Sequence, residues 1–277
     1  MKDGRLFFDL PADEYHRDPC AVPSLSSHIA ELLVARSPRH AWLAHPRLGG
    51  VRQPPSRAMD RGTLLHTLVL GKGQEAVPID ADSWRSKKAR QLADDARAAG
   101  QLPVLCHELA LAERDAASVG QQLEDFSIKL TGQSEVAAFW TETAKGGDAV
   151  LCRGMMDHLS EDRRTIYDLK TARSAHPAAV RRVVLDYGYH LQAWAYCRAV
   201  AATGQSMPDF VFLFMELEPA VVVQPVRLTE AFYRLASARW QAAVNRWATC
   251  LRLDSWPAYS DEIVELSPPT WATPEGA

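Results

Sequence analysis

The sequence lacks the features that mark a membrane or exported protein. Its longest apolar stretches, 210–215 and 220–223, are far shorter than the roughly 18 to 20 residues that span a bilayer. The N-terminus carries acidic residues where a signal peptide has its apolar core, and it has no small-residue cleavage site. We therefore expect a cytoplasmic protein with no membrane association.

Paired cysteines and a surplus of basic residues are also missing. The 5 cysteines are widely spaced and form no CxxC pair, so neither a structural zinc site nor an iron-sulfur cluster is expected. A formal net charge of -3 argues against coating of nucleic acid by bulk electrostatics, so any DNA contact must use a local patch. One candidate is segment 36–61, in which arginines face a single acid, Asp60; a solvated loop explains it equally well. These arginines are Arg36, Arg39, Arg47, Arg52, Arg57 and Arg61.

Hydrophobic periodicity predicts an α/β fold with a mixed central sheet flanked by helices. Strands are expected at 134–143, 149–159, 165–171, 209–218 and 221–228, the first three forming a meander. Helices are expected at 25–36, 38–45, 58–70, 176–185, 188–202 and 230–253, and within 86–130 with breaks near 100–103. The chain divides into an N-terminal helical part, 1–130, a core, 131–255, and a tail, 256–277, with the first two parts integrated into one domain. The proline-containing end, 267–277, is expected to lack fixed structure.

Two aspartates stand out in the predicted hairpin of the second and third strands. A symmetric turn centred on Asp162 and Arg163 pairs residues whose numbers sum to 325, and Asp157 and Asp168 satisfy this relation. Antiparallel pairing would place their Cβ atoms about 5 Å apart on one face. Like charges so placed destabilise a hairpin unless a cation lies between them. A divalent metal would meet this need.

Lys170 joins this pair because it follows Asp168 by two residues, which puts both on one face of a strand. Carboxylate and carbonyl oxygens suit a hard cation such as Mg²⁺, and a nearby lysine can orient a water nucleophile or help to deprotonate it. The combination is typical of phosphodiester hydrolysis. From spacing alone, a solvated strand whose charges pair with ordinary neighbours is the favoured alternative.

Four segments resemble the PD-(D/E)XK nucleases, in the branch of exodeoxyribonuclease VIII (RecE) and its phage-encoded relatives. Asp157 with Asp168-Leu169-Lys170 resembles the signature itself. Segment 188–196, Gly-Tyr-His-Leu-Gln-Ala-Trp-Ala-Tyr, resembles the QxxxY helix, and 61–66, Arg-Gly-Thr-Leu-Leu-His, resembles the helix that supplies a histidine ligand. Segments 26–33 and 37–42 resemble the N-terminal region. The motifs occur in the expected order across roughly residues 15 to 255.

The resemblance implies a role for each matching position. Asp157, Asp168, the carbonyl of Leu169 and His66 would be metal ligands, Lys170 the catalytic lysine, and Glu135 a further acid that approaches the metals through water. On a helix, Tyr189, Gln192 and Tyr196 share one face that can look at the site, although packing of the two tyrosines into the core is an equal alternative. Gln192 would hold a phosphate oxygen or orient Lys170. Tyr189, Tyr196, Arg153 and Arg173 would contact DNA.

The implied activity is a Mg²⁺-dependent exodeoxyribonuclease, with Mn²⁺ as a substitute, acting on double-stranded DNA ends 5′ to 3′ and releasing 5′-mononucleotides for recombination. Related branches hold an iron-sulfur cluster, which the cysteine spacing here cannot build. The resemblance further implies a ring-shaped homo-oligomer and a single-strand annealing protein as partner. The alternatives are a restriction-type or structure-specific endonuclease and a catalytically idle DNA-binding subunit.

Overall fold

A computed structural model describes residues 4–51 and 57–268 of the chain, with residues 57–59 described by their backbone alone. Along the chain the strands are β1 (Arg5–Phe7), β2 (Ala76–Ile79), β3 (Leu102–Leu105), β4 (Gly132–Thr143), β5 (Ala149–Ser160), β6 (Thr165–Thr171), β7 (Asp209–Glu216) and β8 (Val222–Arg227). The helices are α1 (Ala12–His16), α2 (Ser27–Glu31, continued by a π-helical turn, Leu32–Arg36), α3 (Pro38–Ala44), α4 (Arg57–Leu70), α5 (Lys87–Ala98), α6 (Cys106–Asp125), α7 (Pro177–Asp186), α8 (Tyr189–Ala202) and α9 (Glu230–Leu253).

Six of the strands form the central sheet, in the order β1-β4-β5-β6-β7-β8. Neighbouring strands are antiparallel except for β6 and β7, which run parallel because α7 and α8 carry the chain back between them. Strands β2 and β3 form a separate parallel pair. The mixed sheet flanked by helices confirms the predicted fold class.

Alternating side chains of β7 show that the sheet is buried on both faces. Phe210, Phe212 and Phe214 pack into the larger core with residues of α2, α8 and α9. Val211, Leu213 and Met215 pack on the opposite face, against Leu65 of α4 and Val119 of α6. Burial of each large apolar side chain contributes roughly 1.5 to 3 kcal/mol. Because α2 and α4 share these cores with the sheet, the predicted parts 1–130 and 131–255 pack together.

Local sequence signals explain where several helices begin and end. The Ser26 hydroxyl accepts a hydrogen bond from the Ile29 amide at the start of α2, and Pro38 occupies the first turn of α3. Gly188 separates α7 from α8 with φ of 68°, and an added Cβ would lie 2.6 Å from the Glu31 side chain. Glycine is therefore required there both for its conformation and for its size.

Strands β1, β2 and β3 were absent from the sequence prediction, which treated 100–103 only as a break between helices. Each has only three or four residues, and β2 and β3 both contain proline. The short helix α1 was not predicted either. The remaining elements match the prediction to within a few residues, and α9 has the predicted limits. The predicted unstructured end lies mostly outside the described residues. Within the described ranges, no helix combines the length and apolarity needed to cross a membrane.

Candidate active site

The candidate site lies where β4 and β5 are interrupted at the same level. Ser134 pairs with His158 and Val136 with Met156, but neither Glu135 nor Asp157 is paired between them. Glu135 adopts φ of 51°, in the left-handed region that residues with a side chain seldom occupy. Such backbone strain is concentrated at functional sites.

The side-chain alternation of both strands switches at this interruption. Val136 and Met156 belong to the core that contains α8. Ser134 and His158 are two residues from Val136 and Met156, but they lie on the opposite face of the sheet. The Ser134 hydroxyl contacts the Leu70 carbonyl of α4 and lies 3.0 Å from Nδ1 of His158. A regular strand would keep positions two apart on one face. Asp157 therefore stands at a break rather than inside a uniform strand.

The predicted hairpin register is confirmed, although the ladder between β5 and β6 is short. His158 pairs with Tyr167 and Leu159 with Ile166, so both pairs sum to 325 as expected. The paired ladder does not reach Asp157 and Asp168. Instead the Asp157 carboxylate accepts a hydrogen bond of 2.8 Å from the Leu169 amide. At this point a side chain, and not the backbone, of β5 bonds to β6. The predicted uniform cross-strand pair is corrected accordingly.

His66 approaches Asp157 from α4. Its Nε2 lies 3.1 Å from Oδ2 of Asp157, the oxygen that also accepts from Leu169. Helix α4 approaches β6 closely at Gly62, where an added Cβ would lie 3.3 Å from the Thr171 hydroxyl. His66 follows Gly62 by about one turn, so this approach places the imidazole beside the carboxylate.

Asp168 is fully buried, and each of its carboxylate oxygens has a protein partner. The Gln192 amide of α8 donates a hydrogen bond of 2.8 Å to Oδ1. Oδ2 forms an ion pair with the Lys170 ammonium. Asp168 and Lys170 thus share the face of β6 that α8 covers, and Gln192 holds the carboxylate from that helix. The lysine ammonium also lies 4.9 Å from the ring centre of Tyr189.

The two carboxyl groups differ in electrostatics. Burial and the neighbouring Asp157 charge raise the pKa of Asp168 to about 7. Burial also acts to raise the pKa of Asp157, but the hydrogen bond from His66 and the Lys170 charge outweigh it and lower that pKa. Burial acts to lower the pKa values of His66 and Lys170, but their carboxylate neighbours raise both. The site therefore sets two carboxyl groups against the Lys170 ammonium and the His66 imidazole.

The donor types present fit a hard divalent cation. Asp157, Asp168 and the Leu169 carbonyl offer oxygens, and His66 offers a nitrogen. Within residues 4–51 and 57–268, no three His, Cys, Asp or Glu side chains are grouped closely enough to hold a metal ion as they stand. The carboxylate oxygens are engaged by His66 and Lys170 instead. These donor atoms suit a metal ion, but in this structure they contact other side chains of the site instead.

Glu135 lies near Gly73, just beyond the end of α4. It stands opposite Asp157 in the register of β4 and β5, and an added Cβ on Gly73 would lie 3.4 Å from its Oε1. Burial acts to lower the pKa of His66, and the Glu135 charge helps to raise it, after the larger effects of Asp157. The structure therefore places Glu135 at the edge of the site.

The two tyrosines of the QxxxY-like helix have different environments. Tyr196 is buried, with its ring 6.3 Å from that of Phe210, and an added Cβ on Gly154 would lie 2.7 Å from the Tyr196 ring. This close approach fixes α8 on β5, about one turn from Gln192. Tyr189 is partly exposed and lies beside Lys170. Tyr196 therefore packs into the core, which is the alternative given for both tyrosines, whereas Tyr189 faces the site.

The structure corrects the role expected for Arg153. Its side chain is buried, lies 3.3 Å from the Asp18 carboxylate, and donates hydrogen bonds to the carbonyl and hydroxyl of Ser24. A buried guanidinium with these partners holds the N-terminal segment and is not presented to a phosphate. Arg173, in contrast, is exposed beyond the end of β6.

The arginines of segment 36–61 do not form one free basic surface. Arg61 pairs with Glu218 at 2.5 Å and with Asp115 at 3.3 Å. Arg47 donates to backbone carbonyls, including that of Ala21, and the Arg39 guanidinium lies over the Trp42 ring. Arg52 and the side chain of Arg57 lie outside the described residues.

Comparison with known proteins identifies the family. The model of a family described as PDDEXK-like domain of unknown function (DUF3799) matches residues 35–266. The chain belongs to this family. Nucleases of the PD-(D/E)XK type use divalent metal ions, in agreement with the donors of this PDDEXK-like site. None of the curated proteins compared with the chain matches it.

A solved structure shares the fold of the PDDEXK-like chain over most of its length. A protein from Eubacterium rectale, named as a presumptive exonuclease, has a TM-score of 0.61 at 14% identity, covering 98% of this chain and 100% of its own. This match supports the fold. A phage related exonuclease from Haemophilus somnus 129PT has a TM-score of 0.33 at 11% identity, covering 84% and 97%.

Two features of this PDDEXK-like site could not be read from the sequence. The Leu169 amide is a hydrogen-bond donor to Asp157, and a backbone donor carries no residue signal. The switch of faces at Asp157 is equally hidden, because Glu135, whose backbone is strained, is an ordinary strand residue by composition. His66, Asp157, Asp168, Lys170 and Gln192 lie close together in the folded chain.

Proposed function

We propose that the chain is a Mg²⁺-dependent exodeoxyribonuclease that degrades linear double-stranded DNA from its ends, 5′ to 3′, and releases 5′-mononucleotides. The observation that carries the proposal is the buried Asp168 carboxylate, which Lys170 and Gln192 hold beside Asp157 and His66. Burial of a charged carboxylate is costly, and a purely structural role would not require a second acid next to it.

The metal would be held by Asp157, Asp168, the Leu169 carbonyl and His66, in exchange for the contacts that these side chains now make. When bound, it would supply charge neutralisation and a more acidic water. Such a cation would also relieve the repulsion between the two carboxylates that raises the pKa of Asp168. Mn²⁺, with similar preferences for oxygen ligands, is the expected substitute.

Lys170 and Gln192 would position the reacting groups. The raised pKa of Lys170 keeps its ammonium charged at neutral pH, so it serves to orient water or to neutralise a phosphate oxygen. Gln192 fixes Asp168 through its amide. Tyr189, which lies beside Lys170, and the exposed Arg173 would contact the strand being cut, and Glu135 would reach the site through water.

The choice of an exonuclease over an endonuclease is supported by the name of the Eubacterium rectale protein, whose fold this chain shares. A ring-shaped homo-oligomer, a single-strand annealing partner and a cytoplasmic location complete the proposal. These parts rest on the resemblance to the exodeoxyribonuclease VIII branch. A ring would suit the formal charge of -3, because each subunit need only line a channel with a few cations.

The test uses linear duplexes blocked at one 5′ or one 3′ end, together with a covalently closed circle, each with Mg²⁺ and with EDTA. We expect Mg²⁺-dependent loss of the linear duplex with an open 5′ end and an intact circle. Cleavage of the circle would favour an endonuclease, and hydrolysis in EDTA would refute the metal mechanism.

Matched variants separate the site from the fold. Asp168→Asn should abolish hydrolysis, while Asp13→Asn, an exposed aspartate in α1, should leave the rate unchanged. Full activity of Asp168→Asn would remove Asp168 from the site. No hydrolysis of any DNA by the wild-type chain, with either metal, would favour an idle DNA-binding subunit.

A further inference from the structure

Tyr187 is an exposed aromatic residue beside the candidate site. It lies between α7 and α8 and is 68% exposed. Its ring stacks on Tyr189, with centres 5.8 Å apart and planes inclined by 22°. Tyr189 in turn lies 4.9 Å from the Lys170 ammonium. The two rings therefore form a short aromatic path from the catalytic lysine to the surface.

The exposure of Tyr187 is unusual for a ring with a stacked neighbour. One face packs on Tyr189, so an exposure of 68% leaves the opposite face open to solvent. Other exposed aromatic residues among those described lie against different neighbours: Phe7 contacts Phe139, and Tyr259 contacts His40. Tyr187 alone of these is connected by ring contacts to Lys170.

The backbone fixes the position of this path. Gly188, with φ of 68°, makes the sharp turn that places Tyr187 and Tyr189 on either side of it. An added Cβ on Gly188 would meet the Glu31 carboxylate at 2.6 Å, so the turn is packed against α2. The Tyr189 ring is held from behind by Phe212 and Phe214, with centres 5.9 Å and 6.2 Å away. A flat ring supported in this way is preorganised for stacking.

We propose that the open face of Tyr187 binds an unpaired nucleobase of the DNA strand whose phosphate lies at Lys170. The inference rests on the proposed nuclease function and adds a subsite to it. Aromatic rings bind bases of any sequence because every base has a flat π face. Arg173 is exposed nearby in the chain, and no ion pair holds it among the described residues, so it can serve the phosphates. The ligand is thus a frayed or single-stranded DNA end.

The competing explanation is that Tyr187 only supports Tyr189 and, through it, Lys170. Three substitutions distinguish the two roles. Tyr187→Phe keeps the ring, and Tyr187→Leu keeps an apolar side chain without one. Tyr259→Leu removes a comparably exposed tyrosine, 72% exposed, that contacts His40 instead.

The experiment measures steady-state hydrolysis of a duplex with a short unpaired end, and of the same duplex with abasic positions in that end. In parallel, 2-aminopurine at the unpaired positions reports stacking by fluorescence quenching in EDTA. We expect Tyr187→Leu to raise the KM roughly 5-fold or more and to lose the quenching, because stacking of one base is typically worth that much. The KM values of Tyr187→Phe and Tyr259→Leu should stay within about twofold of the wild-type KM, which is a free-energy change below RT ln 2.

The abasic duplex provides the decisive comparison. It should raise the KM of the wild-type chain as much as Tyr187→Leu does, and it should not raise the KM of Tyr187→Leu further. A lower kcat with unchanged KM and quenching would mean support of Lys170 and would overturn the subsite. If Tyr187→Leu has the KM and the quenching of the wild type, the subsite is overturned and the proposed nuclease function is not affected. Failure of the wild-type chain to cut any DNA would instead overturn the proposed function, and the subsite with it.

Discussion

Substitution of Gly154 by alanine perturbs the contact that holds α8 on the sheet. The added methyl would lie 2.7 Å from Cε1 and 2.8 Å from Cδ1 of Tyr196. Ordinary carbon contacts are about 3.5 to 4.0 Å, so the ring and its helix must move by roughly 1 Å. Gln192 lies one turn away on the same helix, and its 2.8 Å bond to Asp168 would lengthen.

Two magnitudes follow from this displacement. Overpacking of this kind costs about 1 to 3 kcal/mol of the free energy of unfolding, or some 2 to 4 °C in Tm per kcal/mol. Misplacement of a site by about 1 Å lowers the rate on the order of 100-fold. Thermal unfolding in EDTA measures the first effect, and the initial rate of linear-duplex degradation with Mg²⁺ measures the second.

Gly120→Ala is the matched control, because an added Cβ there meets no atom within 4 Å. It lies within α6, where alanine should stabilise by about 0.5 to 1 kcal/mol without changing the rate. Combining Gly154→Ala with Tyr196→Leu should recover part of the lost stability, because the clashing ring is gone. If Gly154→Ala melts and cuts DNA like the wild type, the contact between α8 and β5 does not position Asp168.

Other substitutions test separate parts of the structure. Gln192→Ala should lower kcat on linear duplex by about 10- to 100-fold with an unchanged circular dichroism spectrum, as for other groups that orient ligands; an unchanged kcat would exclude this role. Burial acts to raise the pKa of Asp18, but the hydrogen bond from His45 and the Arg153 charge lower it from 3.8 to about 2. Asp18 should therefore contribute about 2 kcal/mol of stability that is present above pH 4 and lost as pH falls towards 2. Urea unfolding at pH 7, 4 and 2.5 checks this, and a loss no steeper than that of Asp18→Asn would contradict it. Arg153→Met should cost about 3 to 5 kcal/mol by removing the buried cation that faces the Asp18 carboxylate, while folded protein keeps the wild-type KM for DNA; a selective rise in KM would restore a DNA contact to Arg153.

The hairpin of β5 and β6 shows what pattern reasoning can predict. A polar turn and the symmetric pairing rule were sufficient to give the register, which His158 and Tyr167 confirm. The geometry of the pair could not follow from that rule. Regular alternation assumes that every residue is extended, and Glu135 departs from that assumption through a backbone conformation that its own side chain does not favour.

Arg153 and the short strands show where sequence information runs out. The predicted face of Arg153 gave no sign of its partner, because Asp18 lies far away in the chain and contacts it only in the folded state. Strands β2 and β3 pair in parallel across a helix and contain prolines, so neither local propensity nor a turn signal marked them. The motif residues were selected by the resemblance, which supplies long-range information that spacing lacks.

The interruption at Glu135 and Asp157 has a consequence for the turns that flank it. Glu135 stands opposite Asp157 in the register of one hairpin, and the paired residues of the next hairpin fix how far Asp168 lies along the sheet from Asp157, although neither pair of acids belongs to a ladder. A slip of two residues in either hairpin would preserve the buried faces yet move one acid by almost 7 Å. The lengths of the connections at 144–148 and 161–164 therefore determine how the acids lie relative to one another, although neither connection contributes a side chain to the site. An insertion in either surface turn can therefore displace the acids of the site while the chain still folds.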